Sequence, residues 1–265
     1  MADYQDIAVE RVESWIEITL KREDKLNALR ARTAEEIMSV IGSAEEDPEI
    51  GLIILQGAGK AFCTGIDTSE FQVKEGEYFD FYRRRRRSWK VAAMFRELPH
   101  VTKPVIAVVE GYALGGGFEL ALLSDMIVAG KKAMFGLPET RLGIMPGGGG
   151  TQTLPRIIGR PLAKELMWTG RRLSADEALA YRLVNHVAPQ GEALEKAREL
   201  ARSICESAPL AIMMSKTAVD RGVDATLADG MAQEGDLAYL LYFSEDRNEG
   251  LSAFREKRQA RFRGK

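Results

Sequence analysis

Two glutamates, each near a glycine cluster, are the residues of this sequence best suited to proton transfer. Glu119 follows the glycines at 115–117, and the glycines at 147–150 follow Glu139. Apolar residues flank Glu119 on both sides. This setting predicts a buried carboxyl group, and burial raises a carboxyl pKa toward neutrality, where the group can act as an acid or a base. The sequence therefore predicts two carboxyl groups for acid–base chemistry.

Backbone amides at two turns complement these carboxyl groups. Gly116 lies where an apolar run ends and a helix begins, and a helix N-terminus presents free N–H groups and a positive dipole end. A second turn follows a strand within residues 61–67, AFCTGID. One amide from each turn, directed at the same oxygen, would form an oxyanion hole. Losing one donor of such a hole typically costs about 10²–10³ in rate.

Each of these features taken alone also has a structural interpretation. A triple glycine is most often a turn or a site of close packing. Glu119 also suits the dipole at the start of a helix, and Glu139 follows Pro138 as a solvated loop acid would. Spacing alone therefore leaves the function open.

The elements that must position these residues alternate between strands and helices. Apolar or alternating segments predict strands at Ile7–Val12, Trp15–Leu20, 52–55, Val105–Val109 and 126–129. The first two have the pattern of a hairpin. Thr33 and Glu36 have capping-box spacing, which predicts a helix over 33–46, and further helices end at Leu98 and begin at about Gly116. The alternation favours an α/β fold with a mainly parallel core.

The second half of the chain is predicted to be helical. Apolar periodicity predicts helices at 157–170, 174–181, about 190–207, 209–219 and 227–242. We place a boundary at about residue 200, between a core that carries the active site (1–200) and a helical C-terminal part (201–265).

Composition narrows the class of protein. The length of 265 residues is ample for a buried core, and a net charge of −2 favours neither an acidic nor a basic partner. Cys63 and Cys205 have no CxxC spacing, so neither a disulfide nor a metal site is expected. No apolar run reaches the roughly 20 residues of a membrane span, and the first residues have no signal-peptide pattern. We expect a cytoplasmic protein.

Four segments, in this order along the chain, resemble signature segments of the enoyl-CoA hydratase/isomerase (crotonase) superfamily, most closely those of its enoyl-CoA hydratase branch. They are KLNAL at 25–29, AFCTGID at 61–67, the stretch from residue 103 with ALGGGFELAL and GGGGTQ, and DRNEGLSAFREKRQARF at 246–262. Matches at four separate places are far more specific than a glycine pattern.

The resemblance implies a fold, an assembly and a substrate class. The fold is a crotonase-like spiral of repeated ββα units with a helical C-terminal part that serves oligomerisation, and members are typically trimers or dimers of trimers. The substrate is an acyl-CoA thioester. No metal or redox cofactor is implied, because coenzyme A is part of the substrate.

The resemblance also implies roles for residues of this chain. The amides of Ile66 and Gly116 polarise the thioester carbonyl of a 2-enoyl-CoA. Glu119 helps to deprotonate a water that attacks the β-carbon, and Glu139 protonates the α-carbon, which gives a 3-hydroxyacyl-CoA. Many relatives with other reactions lack one or both glutamates, so their presence favours hydration. The implied substrate-binding positions are Lys25, Leu26, Ala28, Thr64, Asp67 and Gly147.

Some positions depart from the commonest family pattern. Ile66 stands where alanine is frequent, and Thr68 where isoleucine is usual. An amide donor survives any side chain, so the oxyanion hole is unaffected, whereas the acyl pocket is expected to be narrower or differently shaped. Phe118, Leu137 and Met145 are further candidates to shape that pocket, although core packing explains each of them more simply.

Two basic clusters have more than one interpretation. Five arginines at 83–87 suit a solvated surface best, with contact to coenzyme A phosphates or to a nucleic acid as alternatives. The net charge of −2 makes nucleic acid the weaker choice. By resemblance, Lys257, Arg258 and Arg261 are better candidates to bind coenzyme A phosphates.

Two other functions remain open from the sequence. A Δ3,Δ2-enoyl-CoA isomerase or another acyl-CoA dehydratase of the superfamily would use one carboxylate to move a proton between carbons, or run the addition in reverse. A non-catalytic acyl-CoA-binding or RNA-binding protein would keep the fold without the reaction.

Overall fold

The computed structural model describes residues 4–71, 76, 78–79 and 89–265. The five arginines at 83–87 lie outside these residues, and their role stays a prediction. The strands are β1 (Ile7–Val12), β2 (Trp15–Leu20), β3 (Leu52–Gly57), β4 (Ala61–Cys63), β5 (Val105–Val109), β6 (Tyr112–Leu114), β7 (Met126–Gly130), β8 (Met134–Gly136), β9 (Leu173–Ser174) and β10 (His186–Ala188). The helices are α1 (Ala31–Glu46), α2 (Lys90–Glu97), α3 (Gly116–Leu122), α4 (Gly150–Ile158), α5 (Arg160–Thr169), α6 (Ala175–Ala180), α7 (Ala193–Cys205), α8 (Pro209–Gly222), α9 (Leu227–Leu241) and α10 (Glu245–Glu256).

The strands form two sheets that are joined by a repeating unit. The six-stranded sheet has the order β1-β2-β3-β5-β7-β10, and the four-stranded sheet has the order β4-β6-β8-β9. Three strands of the larger sheet are each followed along the chain by a strand of the smaller sheet: β3 by β4, β5 by β6 and β7 by β8. Helices follow each of these pairs. Successive ββα units therefore wind as a spiral. Neighbouring strands are parallel except in the predicted hairpin β1–β2 and in β8–β9.

The six-stranded sheet is covered on both faces, which explains the continuous apolar sequence of its central strands. In β5, Val105, Ala107 and Val109 face the main core, whereas Ile106 and Val108 face a second apolar layer. Three alanines one helical turn apart on α7 complete that second layer: Ala193, Ala197 and Ala201. Small side chains at this spacing let α7 pack closely on the sheet.

The C-terminal helices contrast with α7. Residue 200, the predicted boundary, lies within α7, which packs on β3, β5 and β7. Beyond α7, neither α8 nor α9 contributes a buried residue. Several large apolar side chains of this region are more than half exposed: Val223, Leu227, Met231, Tyr239 and Phe243. The division into two parts remains a prediction.

Two local predictions are wrong. The first is the capping box, since α1 begins at Ala31, and Thr33 lies inside it. The Thr33 hydroxyl instead accepts a hydrogen bond from the Arg30 N–H and donates one to Asp6 (2.6 Å). Glu36 accepts hydrogen bonds from backbone N–H groups near the start of the chain, including that of Asp6. These contacts come from residues just before β1, so the local pattern could not reveal them.

The second is the single helix at 157–170. The structure has two helices, α4 and α5, separated at Gly159, whose φ of 81° lies in the left-handed region. Pro161 in the first turn of α5 has no N–H to continue α4.

Among the described residues, none of the helices has the length and apolar character that crossing a bilayer requires.

Candidate active site

Glu119 lies in the first turn of α3 and is almost completely buried. Its Oε1 accepts hydrogen bonds from the backbone N–H groups of Gly148 and Gly150, each 2.8 Å long. Burial raises the pKa of Glu119, while the amides of Gly150, Gly148 and Gly147 oppose that effect because they favour the anion. Backbone amides of the second glycine cluster, at residues 147–150, therefore bind this carboxylate.

Glu139 opens a short 3₁₀ turn, Glu139–Leu142, and is also buried. Neither of its carboxylate oxygens forms a hydrogen bond of normal geometry with another described residue. Burial raises the pKa of Glu139 to about 7, its own backbone N–H opposes the rise, and the nearby charge of Glu119 adds to it. Thr140 anchors the turn, because its hydroxyl donates to the carbonyl of Met167 in α5 (2.6 Å).

The predicted amide pair is brought together by two turns in contact. In the bridge between residues 29 and 66, Leu29 donates to the carbonyl of Gly65 (2.7 Å) and accepts from the N–H of Asp67 (2.8 Å). The N–H of Ile66 lies between these bonds and therefore points away from Leu29. The position that a Cβ at Gly116 would occupy is 3.6 Å from the Ile66 nitrogen.

Glycine is required where these turns touch. A Cβ at Gly117 would overlap the carbonyl of Cys63 and lie 2.7 Å from its Cβ. A Cβ at Gly115, which has a φ of 53°, would lie 3.2 Å from Oε1 of Glu139. The glycine cluster of α3 thus places the start of the helix against the second turn and beside the Glu139 carboxylate.

Hydrogen bonds from Arg22 and Asn27, which the sequence did not indicate, hold the second turn in place. The Arg22 guanidinium donates to the carbonyl of Ala28 (2.5 Å) and to the carboxylate of Asp67 (2.8 Å). Asn27, fully buried, donates to the carbonyls of Ala58 (2.9 Å) and Ala61 (2.7 Å). Asparagine in KLNAL was the available signal, but its partners lie more than 30 residues away and depend on the fold.

The predicted substrate-binding residues fall into two groups. Thr64 is bound through its N–H and its hydroxyl to the carbonyl of Leu26 (3.1 and 3.2 Å). Asp67 pairs with Arg22, whose hydrogen bond is the largest reason why the pKa of Asp67 falls to about 2. Lys25 and Leu26 are exposed and Ala28 is half-buried. These residues adjoin the second turn.

Gly147 lies with Glu119 instead, because its amide helps to stabilise that carboxylate. It is exposed on the turn that precedes α4. Of the candidate pocket residues, Phe118 and Leu137 belong to the core, where Phe118 packs on Phe135 with ring centroids 5.3 Å apart, and Met145 is largely exposed. All of these binding and shaping roles stay predictions.

The C-terminal cations are engaged with carboxylates. The Arg258 guanidinium pairs with Glu249 and Glu256, and the N–H of Arg261 donates to Glu249 (2.8 Å). Lys257 ends α10 in a left-handed conformation. Their predicted contact with coenzyme A phosphates stays a prediction.

No group of three or more His, Cys, Asp or Glu side chains in the described part of the chain is arranged to hold a metal ion.

Comparison with known proteins shows the family to which the chain is related. The sequence model of a family described as enoyl-CoA hydratase/isomerase matches residues 10–265. The human "enoyl-CoA hydratase domain-containing protein 2, mitochondrial" is 41% identical over 255 residues, which cover 94% of this chain and 85% of that protein. The "short-chain-enoyl-CoA hydratase" of Clostridium acetobutylicum is 40% identical over 246 residues, which cover 91% of each chain.

Solved structures show the same relationship. The crystal structure of an enoyl-CoA hydratase from Bacillus anthracis superimposes with a TM-score of 0.91 at 38% identity, covering 98% of this chain and all of that one. This likeness confirms the crotonase-like spiral with its helical C-terminal part. The chain belongs to the enoyl-CoA hydratase/isomerase family.

Proposed function

We propose that this protein is a 2-enoyl-CoA hydratase, which adds water reversibly to a 2-enoyl-CoA thioester to give a 3-hydroxyacyl-CoA. The relatives described above carry hydratase names, and this chain has both buried glutamates together with two adjoining amide-bearing turns. The reaction needs no cofactor beyond the coenzyme A of the substrate.

The proposed oxyanion hole consists of the N–H groups of Ile66 and Gly116. Attack at the β-carbon of a 2-enoyl thioester moves charge to the thioester oxygen, which becomes an enolate. Two amides fixed by the backbone stabilise that charge without reorganisation during the reaction. Leu29 on one side and the start of α3 on the other hold these two amides in place.

The two carboxyl groups then have separate roles. Water loses a proton to Glu119 as its oxygen bonds to the β-carbon, and Glu139 gives its proton to the α-carbon of the enolate. The proton gained by Glu119 returns to Glu139 through water, which restores both groups. The net change is the addition of one water molecule across the double bond.

A single observation carries this proposal: two neighbouring buried carboxyl groups have opposite hydrogen-bond environments. Two hydrogen bonds of 2.8 Å from backbone amides favour the anion of Glu119, which is the form that a general base needs. Glu139 has no such partners among the described residues, and its pKa of about 7 keeps a large share of it protonated at neutral pH. These different environments support a base role for Glu119 and an acid role for Glu139.

The assembly and the location are parts of the same proposal. The exposed apolar side chains of α8 and α9 are surfaces that a homotrimer or a dimer of trimers would cover. A cytoplasmic location remains our expectation, although the curated relatives include bacterial and mitochondrial proteins.

The test is turnover of crotonyl-CoA by the purified full-length protein. Loss of the conjugated enoyl absorbance, with 3-hydroxybutyryl-CoA as the product, supports hydration. If a panel of short, long and branched 2-enoyl-CoAs is inert, the hydratase proposal fails. Formation of that absorbance from a 3-enoyl-CoA at a higher rate would favour the isomerase instead, and an RNA shift that survives physiological salt would favour a binding protein.

A further inference from the structure

Phe95 of α2 is an apolar ring that reaches both glycine turns of the candidate active site. Its Cζ lies 3.5 Å from the position that a Cβ at Gly116 would occupy. Its Cδ2 and Cε2 each lie 2.7 Å from the corresponding position at Gly148. One edge of the ring therefore runs from the proposed oxyanion hole to the turn that binds Glu119.

The same two positions adjoin the proposed reacting groups. At Gly148, Oε2 of Glu119 lies 2.9 Å from the point that the ring carbons approach. At Gly116, the nitrogen and Cγ1 of Ile66 lie 3.6 and 3.2 Å from the point that Cζ approaches. Phe95 thus borders the space beside both the amides and the base, and the Ile66 side chain borders the same space.

This placement has a consequence for the acyl group. In a 2-enoyl thioester, only the carbonyl carbon and the α-carbon separate the thioester oxygen from the β-carbon. With the oxygen on the amides of Ile66 and Gly116 and the β-carbon near Glu119, the planar enoyl group lies along the edge of the Phe95 ring. A second substituent on the β-carbon, or a bulky chain beyond it, meets that ring.

The ring is not free to move aside. Phe95 is 6% exposed and belongs to the main core, whose close packing resists added volume. Sites of this kind discriminate by about 10- to 200-fold for one methyl or methylene group.

We propose that Phe95 sets the acyl specificity of this chain by selecting against 2-enoyl groups with a second substituent on the β-carbon. This inference rests on the hydratase function proposed above. It concerns the side chain of one residue of α2, whereas the reaction itself depends on the two glutamates and two amides.

The experiment compares kcat/KM for crotonyl-CoA and 3-methylcrotonyl-CoA in the wild type, Phe95→Ala and Met94→Ala. Met94 is a matched control, because it is fully buried in the same helix and its removal leaves the Phe95 ring in place. The intrinsic reactivities of the two substrates cancel when the ratios are compared between proteins. We expect Phe95→Ala to lower the preference for crotonyl-CoA by at least ~10-fold, and Met94→Ala to leave it within about twofold.

An unchanged or increased preference in Phe95→Ala overturns the inference, as does an equal effect of Met94→Ala. A second readout does not need turnover: the ratio of Kd values for butyryl-CoA and 3-methylbutyryl-CoA should change in the same direction. An inert wild type whose affinity ratio still depends on Phe95 would refute the hydratase proposal and keep the pocket assignment. If circular dichroism shows that Phe95→Ala is unfolded, Phe95→Leu is measured instead, with the same direction required.

Discussion

Replacing Glu139 with glutamine should slow the reaction and stabilise the folded protein at the same time. Glutamine has the shape of glutamate and carries no charge, but it has no acidic proton to give. If Glu139 protonates the α-carbon, kcat should fall by at least ~10². The opposite effect on stability follows from the burial of a carboxyl group whose oxygens lack hydrogen-bond partners among the described residues.

The size of the stability effect can be worked out from the pKa. Burial raises the pKa of Glu139 from the ordinary glutamate value of 4.5 to about 7. Between these values the unfolded chain has lost the proton and the folded chain keeps it, so the free energy of unfolding falls as the pH rises. Above about pH 7 the folded protein has lost up to about 3 kcal/mol relative to pH 4. Glu139→Gln has no such loss.

The assay is urea unfolding of both proteins at pH 4.5 and pH 8, at one protein concentration because the chain is expected to assemble. The free energy of unfolding of Glu139→Gln, relative to the wild type, should be about 2–3 kcal/mol greater at pH 8 than at pH 4.5. Any pH-independent cost of burying the glutamine amide cancels in this comparison. The control is Glu49→Gln, an exposed carboxylate. Near-normal turnover, or a difference in stability that does not change with pH, would refute the reasoning.

Three further predictions concern the scaffold and the assembly. Gly117→Ala should lower the yield of folded protein and stop turnover, because its Cβ would overlap the backbone of Cys63, and circular dichroism with a crotonyl-CoA assay checks this. Arg22→Met should destabilise the protein by about 1–2 kcal/mol in urea unfolding, because it removes the cation of Asp67 and leaves that half-buried carboxylate with its hydrogen bonds from Ser69 alone; the double variant with Asp67→Asn should recover at least half of that loss. Met231→Glu on α9 should shift the protein from a trimer or hexamer toward a monomer in light scattering, since the change puts a charge into a surface that we expect to be covered, and an unchanged mass would argue against that interface.

The sequence predicted five strands of the six-stranded sheet well because their signals are local, whereas it did not indicate the short strands β6, β8, β9 and β10. β1, β2 and β5 have the predicted bounds, since β-branched runs between turn residues require no knowledge of distant contacts. The two errors have different origins. The pattern at Gly159 and Pro161 was local and readable, whereas the start of α1 depends on Asp6, which binds Arg30 and Thr33 from a position just before β1.

The site was predictable only in part. Motif resemblance located Glu119 and Glu139 and the two amide-bearing turns, because those residues lie in contiguous signatures. Phe95 carries no such signature, and its relevance depends on α2 reaching both glycine turns. The contact of Arg22 with Asp67 joins residues 45 positions apart and likewise requires the fold.

The hydrogen-bond environments of the two glutamates depend on backbone geometry, and this explains why the residue type alone could not assign their proposed roles. Glu119 receives two amides because the glycines at 147–150 let the chain pass close to its oxygens; a Cβ at Gly150 would lie 3.1 Å from Oε1. Among the described residues, the carboxylate of Glu139 has only its own backbone N–H to oppose the rise of its pKa. Burial raises the pKa of both glutamates, and the glycine amides oppose that rise at Glu119. The supply of amide donors is what separates the two proposed roles, base at Glu119 and acid at Glu139.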